Sequence, residues 1–373
     1  MYESEFPLDN SIIYLNHAAV SPWPLRTATA VKRFADENAA FGSNNYPGWV
    51  STETQLKKQL QQLVNADSSD EIALLKNTSE ALSIVAYGLA WKPGDQVVIT
   101  NQEFPSNRVI WESLEKLGVS TCPADLSLHD TPEAAIIECL DGSTRLLSVS
   151  AVQYGTGLKL DLPRLGAACR DRDILFCVDA IQSLGAEVFD VQACQADFVM
   201  ADGHKWMMGP EGIALFYCRR SRMEQLDLKQ YGWHMLEDAL NFDNHNWKIA
   251  ESARRFECGS PNMTGIHALH ASMTLIHEVG MPTIEQLVRE NSRFIIDFIT
   301  QRDDRFQLLT PTAEHQHAGI VTFRPIAETS ESLFEQLSQA HIACALRGGG
   351  IRFSPHFYTP RNKLFKALER LDD

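Results

Sequence analysis

The segment Asp197–Gly212 constrains the fold more than any other part of the chain. It reads Asp-Phe-Val-Met-Ala-Asp-Gly-His-Lys-Trp-Met-Met-Gly-Pro-Glu-Gly. The apolar run Phe198–Ala201 is too short for a helix and enters Asp-Gly-His-Lys directly, while a second apolar run, Ile213–Cys218, follows the glycines. That pattern predicts a strand, a tight turn and a strand, with Lys205 at the tip of the turn. Burial there disfavours the ammonium form, lowers the lysine's pKa and frees its amine as a nucleophile. Upstream, Ile174–Gln182 reads as a buried strand that ends on Asp179, with Gln182 a short step beyond.

Around these two strands the sequence alternates. Strand-like runs at 96–100, 146–152, 174–180, 198–201 and 213–218 are separated by helical periodicity at 80–89, 106–117, 132–140 and 163–172. Alternation of this kind predicts an α/β fold with a mostly parallel sheet and helices on both faces. Ligands in such sheets bind beyond the carboxyl ends of the strands, where Asp179 and Lys205 fall. After Pro261 the pattern changes to helices at 263–279 and 283–299, a strand at 319–323 and helices at 331–340 and 361–371. We expect a large domain over 16–260 and a smaller α+β domain from 261–373 joined by the tail 1–15.

Thirty-three basic against 48 acidic residues give a formal charge of −15, which argues against nucleic acid or anionic membrane as partners. No apolar run approaches the length of a membrane span, and the first residues are acidic, unlike a signal peptide. Eight scattered cysteines without a Cys-x-x-Cys read as reduced thiols, so a cytoplasmic protein is expected. His267 and His270 share a helix face, and His315 and His317 flank a glutamine, but neither pair has a full ligand set. No metal is expected.

An aldehyde-capturing lysine and a strand-end carboxylate able to face a pyridine nitrogen are what pyridoxal 5'-phosphate requires of its protein. With these residues the chain resembles the class V aminotransferase group of fold-type I pyridoxal-phosphate enzymes, which includes cysteine desulfurases, C–S lyases and isopenicillin-N epimerase-like proteins. Besides Asp179-Ala-Ile-Gln182 and Gly203-His204-Lys205, Tyr14–Pro22 is similar to the family's opening loop and Asn77–Ala81 to its phosphate turn. Arg255–Asn262 is similar to the segment that reaches a partner subunit, and Gly350–His356 to the late carboxylate-binding segment. The resemblance covers nearly the whole chain and implies a fold-type I architecture with a seven-stranded sheet.

The resemblance makes Lys205 the Schiff-base lysine; a surface lysine is the plain alternative. Asp179 would keep the pyridine nitrogen protonated through a charge-assisted bond of about 1.5–3 kcal/mol, or it merely caps a helix. Gln182 resembles the residue that bonds the cofactor's phenolic oxygen. Thr78 and Ser79 open a helix whose N-terminus is suited to phosphate, although simple capping would use the same groups. His204 either donates to the phosphate or packs beside Lys205. Ser260 would complete the phosphate cup of a second subunit, which implies a homodimer. Phe104 stands where the family stacks a ring on the pyridine, and desulfurases usually carry histidine there.

Arg352, after three glycines, suits a substrate α-carboxylate; a structural ion pair is the alternative. Arg347 is a weaker candidate, and Gln153, Asn16 and His17 are possible pocket residues. Two departures from the desulfurase pattern stand out. Persulfide-forming desulfurases carry a cysteine on a mobile loop before the late arginine, whereas Cys344 lies on an apolar run and reads as an inert core thiol. Asp202 replaces a serine that often binds phosphate; an ionised carboxylate would repel that group and is expected to point elsewhere. The expected activity is β-elimination or C–S cleavage on a cysteine-like amino acid. Transamination and epimerisation on the same framework, or a non-catalytic cofactor-binding regulator, remain the alternatives.

Overall fold

The computed structural model describes residues 2–372. After the two-residue strand β1 (Ile13–Tyr14) come two long helices, α1 (Leu25–Phe41) and α2 (Tyr46–Val64). The central sheet is built from β2 (Ile72–Leu75), β3 (Gln96–Thr100), β4 (Ser120–Ala124), β5 (Thr144–Ser150), β6 (Leu175–Asp179), β7 (Phe198–Asp202) and β8 (Ala214–Cys218). Between them run α3 (Thr78–Gly88), α4 (Ser106–Glu112), α5 (Pro132–Glu138) and α6 (Leu162–Arg170). The strand order is β2-β8-β7-β6-β5-β3-β4. Neighbours from β7 to β4 pair in parallel, and β8 alone runs against both of its neighbours. The expected seven-stranded, mostly parallel sheet is therefore present.

Side chains leave each strand alternately to the two faces, and both faces are covered. On β6, Phe176 and Val178 enter one apolar cluster while Leu175 and Cys177 enter the other. Val199 and Ala201 of β7 divide from Phe198 and Met200 in the same way. Because both faces are buried, these strands read as continuous apolar runs, which is why the sequence located them. The weaker β4, partly exposed along its length, and the polar-rich α1 and α2 were not anticipated.

The rest of the chain comprises α7 (Met263–Val279), α8 (Met281–Thr300), β9 (Phe306–Leu308), β10 (Val321–Pro325), α9 (Ser330–Gln339), β11 (Ile342–Ala343), β12 (Ala345–Arg347), β13 (Gly350–Phe353) and α10 (Arg361–Glu369). A four-stranded antiparallel sheet, β12-β13-β10-β9, carries a third core with Ile295, Ile299, Phe323, Leu337, Phe353 and Leu368. Leu15 joins this core, and β1 pairs in parallel with β11. The packing does not break at residue 260. Ile266, Leu269, Met273 and Ile276 of α7 share the large sheet's core with Leu56 and Leu60 of α2.

Candidate active site

Asp179 and Lys205 emerge from neighbouring parallel strands, β6 and β7, at the same end of the sheet. The turn after β7 is closed by backbone bonds from Gly203 N to Ile213 O (2.9 Å), Met208 N to Lys205 O (2.9 Å) and Gly209 N to Gly203 O (2.7 Å). Buried residues clamp it. Trp206 Nε1 donates to Gln182 Oε1 (2.9 Å), Gln182 Nε2 donates to Ala18 O (3.0 Å), and Ser21 N donates to His204 O (2.8 Å). His356 Nε2 lies 2.9 Å from Trp206 O. Gly185, at φ +96°, must be glycine because a Cβ there would lie 2.4 Å from Trp206 O.

Burial draws the Lys205 pKa well below the usual lysine range; Asp179 opposes that shift and Arg352 adds to it. Burial pushes the Asp179 carboxyl up, against the Ile181 N–H that it accepts at 3.0 Å and against Lys205. The Phe104 ring centroid lies 5.6 Å from Lys205 Nζ, and the residue is 40% exposed. Tyr154 meets the ring edge-on at 5.1 Å.

Arg352, on β13, is buried yet has no carboxylate partner among the described residues. Its Nη1 donates to Tyr154 O (2.9 Å), and its Nε is buried without a partner. Burial and the nearby Arg347 bring its pKa down to about 10. Among the described residues no ion pair engages Arg352, and its Nε keeps an unused donor able to meet an anion. Gly348 (φ +62°) allows the approach, since a Cβ there would meet Gly155 O at 2.3 Å.

At the opposite end, Thr78 is the first residue of α3, whose N-cap Asn77 accepts from Glu80 N at 2.9 Å. Thr78 N donates to Asp202 Oδ1 (2.9 Å) and Asp202 N donates to Thr78 Oγ1 (3.2 Å). This corrects the expectation for Asp202. The carboxylate points at the helix N-terminus, where an orphan amide and the positive end of the dipole attract it. Burial raises its pKa to about 6. His204 Nδ1 lies 3.7 Å from Asp202 Oδ2, is buried and has no hydrogen-bond partner; burial lowers the ring's pKa to about 4.

A model of class V aminotransferases matches residues 13–356. The chain belongs to the class V aminotransferase family. A "Probable cysteine desulfurase" of Methanothermobacter thermautotrophicus is 31% identical over 292 residues, covering 76% of this chain and 71% of that protein. Another "Probable cysteine desulfurase", from Pyrococcus abyssi, is 29% identical over 335 residues, covering 86% and 80%. Among solved structures, the apo cysteine desulfurase of Thermococcus onnurineus NA1 superposes with a TM-score of 0.86 at 25% identity, over 99% of this chain and 96% of that one. The cystine C–S lyase C-DES, in complex with cysteine persulfide, reaches 0.91 at 23% identity over 99% of both chains and shares the fold. The architecture is fold-type I.

Members of this family use pyridoxal phosphate, and the residues of this chain fit it. Lys205, Asp179 and the Phe104 ring stand together beyond the carboxyl ends of interior strands of the sheet, and His204 Nδ1, Arg352 Nε and Asn16 Oδ1 are buried atoms without partners. Other expected residues sit less directly. Gln182 uses both ends of its amide on the protein, which leaves one N–H for a ligand. The Ser79 hydroxyl donates to Ser106 Oγ at 2.9 Å, and Ser260 is exposed in a surface hollow with Lys76 and Gly212. His17 is fully buried and bound on both nitrogens, to Ser354 O and Tyr358 Oη.

Gln153 is fully buried, and its amide donates to Thr100 Oγ1 (3.2 Å) and Glu103 Oε1 (3.1 Å). Glu103 is the residue the sequence reading missed. Its carboxylate also accepts from Thr100 Oγ1, Asn107 Nδ2, and Ser150 N and Oγ, tying the ends of β3 and β5 together at the residue before Phe104. The available signal was an acid immediately before Phe104. Away from this site, Glu53, His234 and Glu257 cluster with spacing suited to a metal. Lys57 Nζ lies 3.1 Å from Glu53 Oε1 and 2.8 Å from Glu257 Oε1, where a bound cation would lie. A cavity of about 860 Å³ on α8 is lined by residues already paired, Arg289 with Glu285 and Arg293 with Asp297.

Proposed function

We propose that the protein holds pyridoxal 5'-phosphate on Lys205 and cleaves the C–S bond of a cysteine-like amino acid by β-elimination. The observation that carries this reading is the convergence of a destabilised ammonium, a buried carboxylate and an unpaired buried guanidinium around Lys205. When bound, the cofactor supplies an electron sink for negative charge at the substrate Cα. Arg352 receives the α-carboxylate and so sets which Cα bond faces Lys205. The Lys205 amine, its proton held weakly, takes the Cα proton. Asp179 keeps a proton on the pyridine nitrogen, and Phe104 covers the ring face without acid–base chemistry of its own. Thr78, Ser79, His204 and Gln182 hold the remaining polar groups of the cofactor, while Asn16 and Gln153 border the substrate.

Elimination is favoured over sulfur relay because Cys344 sits in the small sheet's core, where burial pushes its thiol up to about 12. The link 345–351 contains no cysteine. The similarity to desulfurases and to a C–S lyase supports a sulfur amino acid as substrate. We further propose a homodimer in which Ser260 reaches the neighbouring site. Exposed Tyr231, Leu240, Phe242 and Trp247 on the segment before it support that reading. A cytoplasmic location belongs to the same reading, because all eight cysteines are unpaired. Among the described residues no helix is long and apolar enough to cross a membrane.

The test adds pyridoxal phosphate to the purified protein and to Lys205→Ala, then supplies L-cysteine, cystine or alanine. A visible band present only in the parent, with pyruvate and ammonia released from a sulfur amino acid, is the expected result. Failure of every sulfur amino acid to release pyruvate would refute elimination. A stable pyridoxamine form that a keto acid reverses would make the protein a transaminase.

A further inference from the structure

The phosphate end of the site has a feature that the amine end does not explain. In a cup meant for a dianion, the first amide of α3 is already occupied by a carboxylate. The reciprocal bond from Asp202 N to Thr78 Oγ1 fixes that carboxylate at the mouth of the helix. Its second oxygen faces the unpartnered Nδ1 of His204. The charged groups around it come from three elements. Lys205 lies on the same turn, Glu211 on the link to β8, and Asp179 at the end of β6. One cation is set against two other acids, so the site does not neutralise both an ionised Asp202 and a phosphate dianion. Like charges brought together in a buried site favour the neutral form of one of them.

We propose that the cofactor's phosphate enters the α3 cup together with one proton, which Asp202 takes from solvent and uses to donate a hydrogen bond to a phosphate oxygen. This rests on the pyridoxal-phosphate reading above. The proton balance is simple: the free protein holds Asp202 as a carboxylate, the complex holds it as a carboxylic acid, and Asp202 forms no covalent bond. Thr78 N–H is released to the phosphate as the acid turns from acceptor to donor. Cofactor affinity therefore falls as pH rises, by about tenfold per pH unit for the single proton taken up. A serine or asparagine at this position donates without a proton from solvent and removes that dependence.

The experiment measures equilibrium binding of pyridoxal phosphate, and of pyridoxal as a probe without phosphate, to the cofactor-free protein. Absorbance and protein fluorescence are the readouts, between about pH 6.5 and 8.5, where phosphate is mainly a dianion. The parent is compared with Asp202→Ser and Asp202→Asn. Lys205 titrates in all three proteins and with both probes, so the informative quantity is the difference in slope. We expect the parent's affinity for pyridoxal phosphate to fall about tenfold more per pH unit than that of either variant, with no such difference for pyridoxal. Parallel curves for all three proteins with pyridoxal phosphate would overturn this inference alone, because Asp202 would then take up no proton on binding. Binding of neither probe at any pH would overturn the cofactor reading and this inference with it.

Discussion

Two buried lysines in this molecule have been pushed in opposite directions. Lys57, on α2, touches Glu53 and both oxygens of Glu257, and those carboxylates raise its pKa despite its burial. Lys205 is buried as well, but its nearest acids act on it only through space and Arg352 works against it, so burial wins and its pKa falls. Desolvation weakens the hold on a proton in both cases; contact with a carboxylate decides whether that loss is made good. The first arrangement locks helix α2 to the segment before α7. The second leaves an amine available for chemistry.

The comparison breaks if Lys57→Met is harmless. Removing that ammonium strands two buried carboxylates, and we expect a loss of about 3–5 kcal/mol in denaturant unfolding, with the visible cofactor band retained in the protein that remains folded. Lys205→Met should do the reverse in the cofactor-free protein. With a folded-state pKa of about 8 against an ordinary value of about 10.4, the unfolded chain binds the extra proton between those two pH values. The parent's stability therefore rises with pH across that window, and its full penalty stands below it. At neutral pH we expect Lys205→Met to be more stable than the parent by about 1–3 kcal/mol, a margin that closes as pH rises, while the cofactor band is lost. The contrast sharpens at Arg352. Replacing this unpaired guanidinium by glutamine removes a charge-assisted fork of about 1.5–3 kcal/mol, so KM for the amino acid should rise by roughly 10–150-fold with the cofactor band intact.

The parts of the site that the sequence made legible are those whose physics is local. Asp179 and Lys205 stand at the ends of uninterrupted apolar strands, and such strands announce themselves when both faces of a sheet are buried. Arg352 was legible because three glycines precede it, a cost in chain entropy that signals close backbone approach. Glu103 was not, because its role depends on donors from β3, α4 and β5 converging on one carboxylate, and no window of sequence contains them. Asp202 was misjudged for a related reason. Charge repulsion from a ligand was weighed, whereas the attraction of the α3 N-terminus, brought across from Thr78 by the fold, was not visible. The helices α1 and α2 escaped notice because much of their surface is polar.

The pairing of the opening loop with the late strands has a consequence for the order in which the protein is made. His17 Nδ1 meets the Ser354 carbonyl across 337 positions of sequence, Asn16 bridges to Ser354, and β1 finds its partner only in β11. Synthesis runs from the N-terminus, and early segments wait for late ones wherever contacts are this distant. The strands that lead to Asp179 and Lys205 leave the ribosome as a continuous block, whereas the contact of His356 with Trp206 O in the lysine turn comes only later. The loop carrying Asn16, made first, must wait for the β13 segment that also carries Arg352. A nascent chain stopped short of that point would hold Lys205 and Asp179 without Arg352.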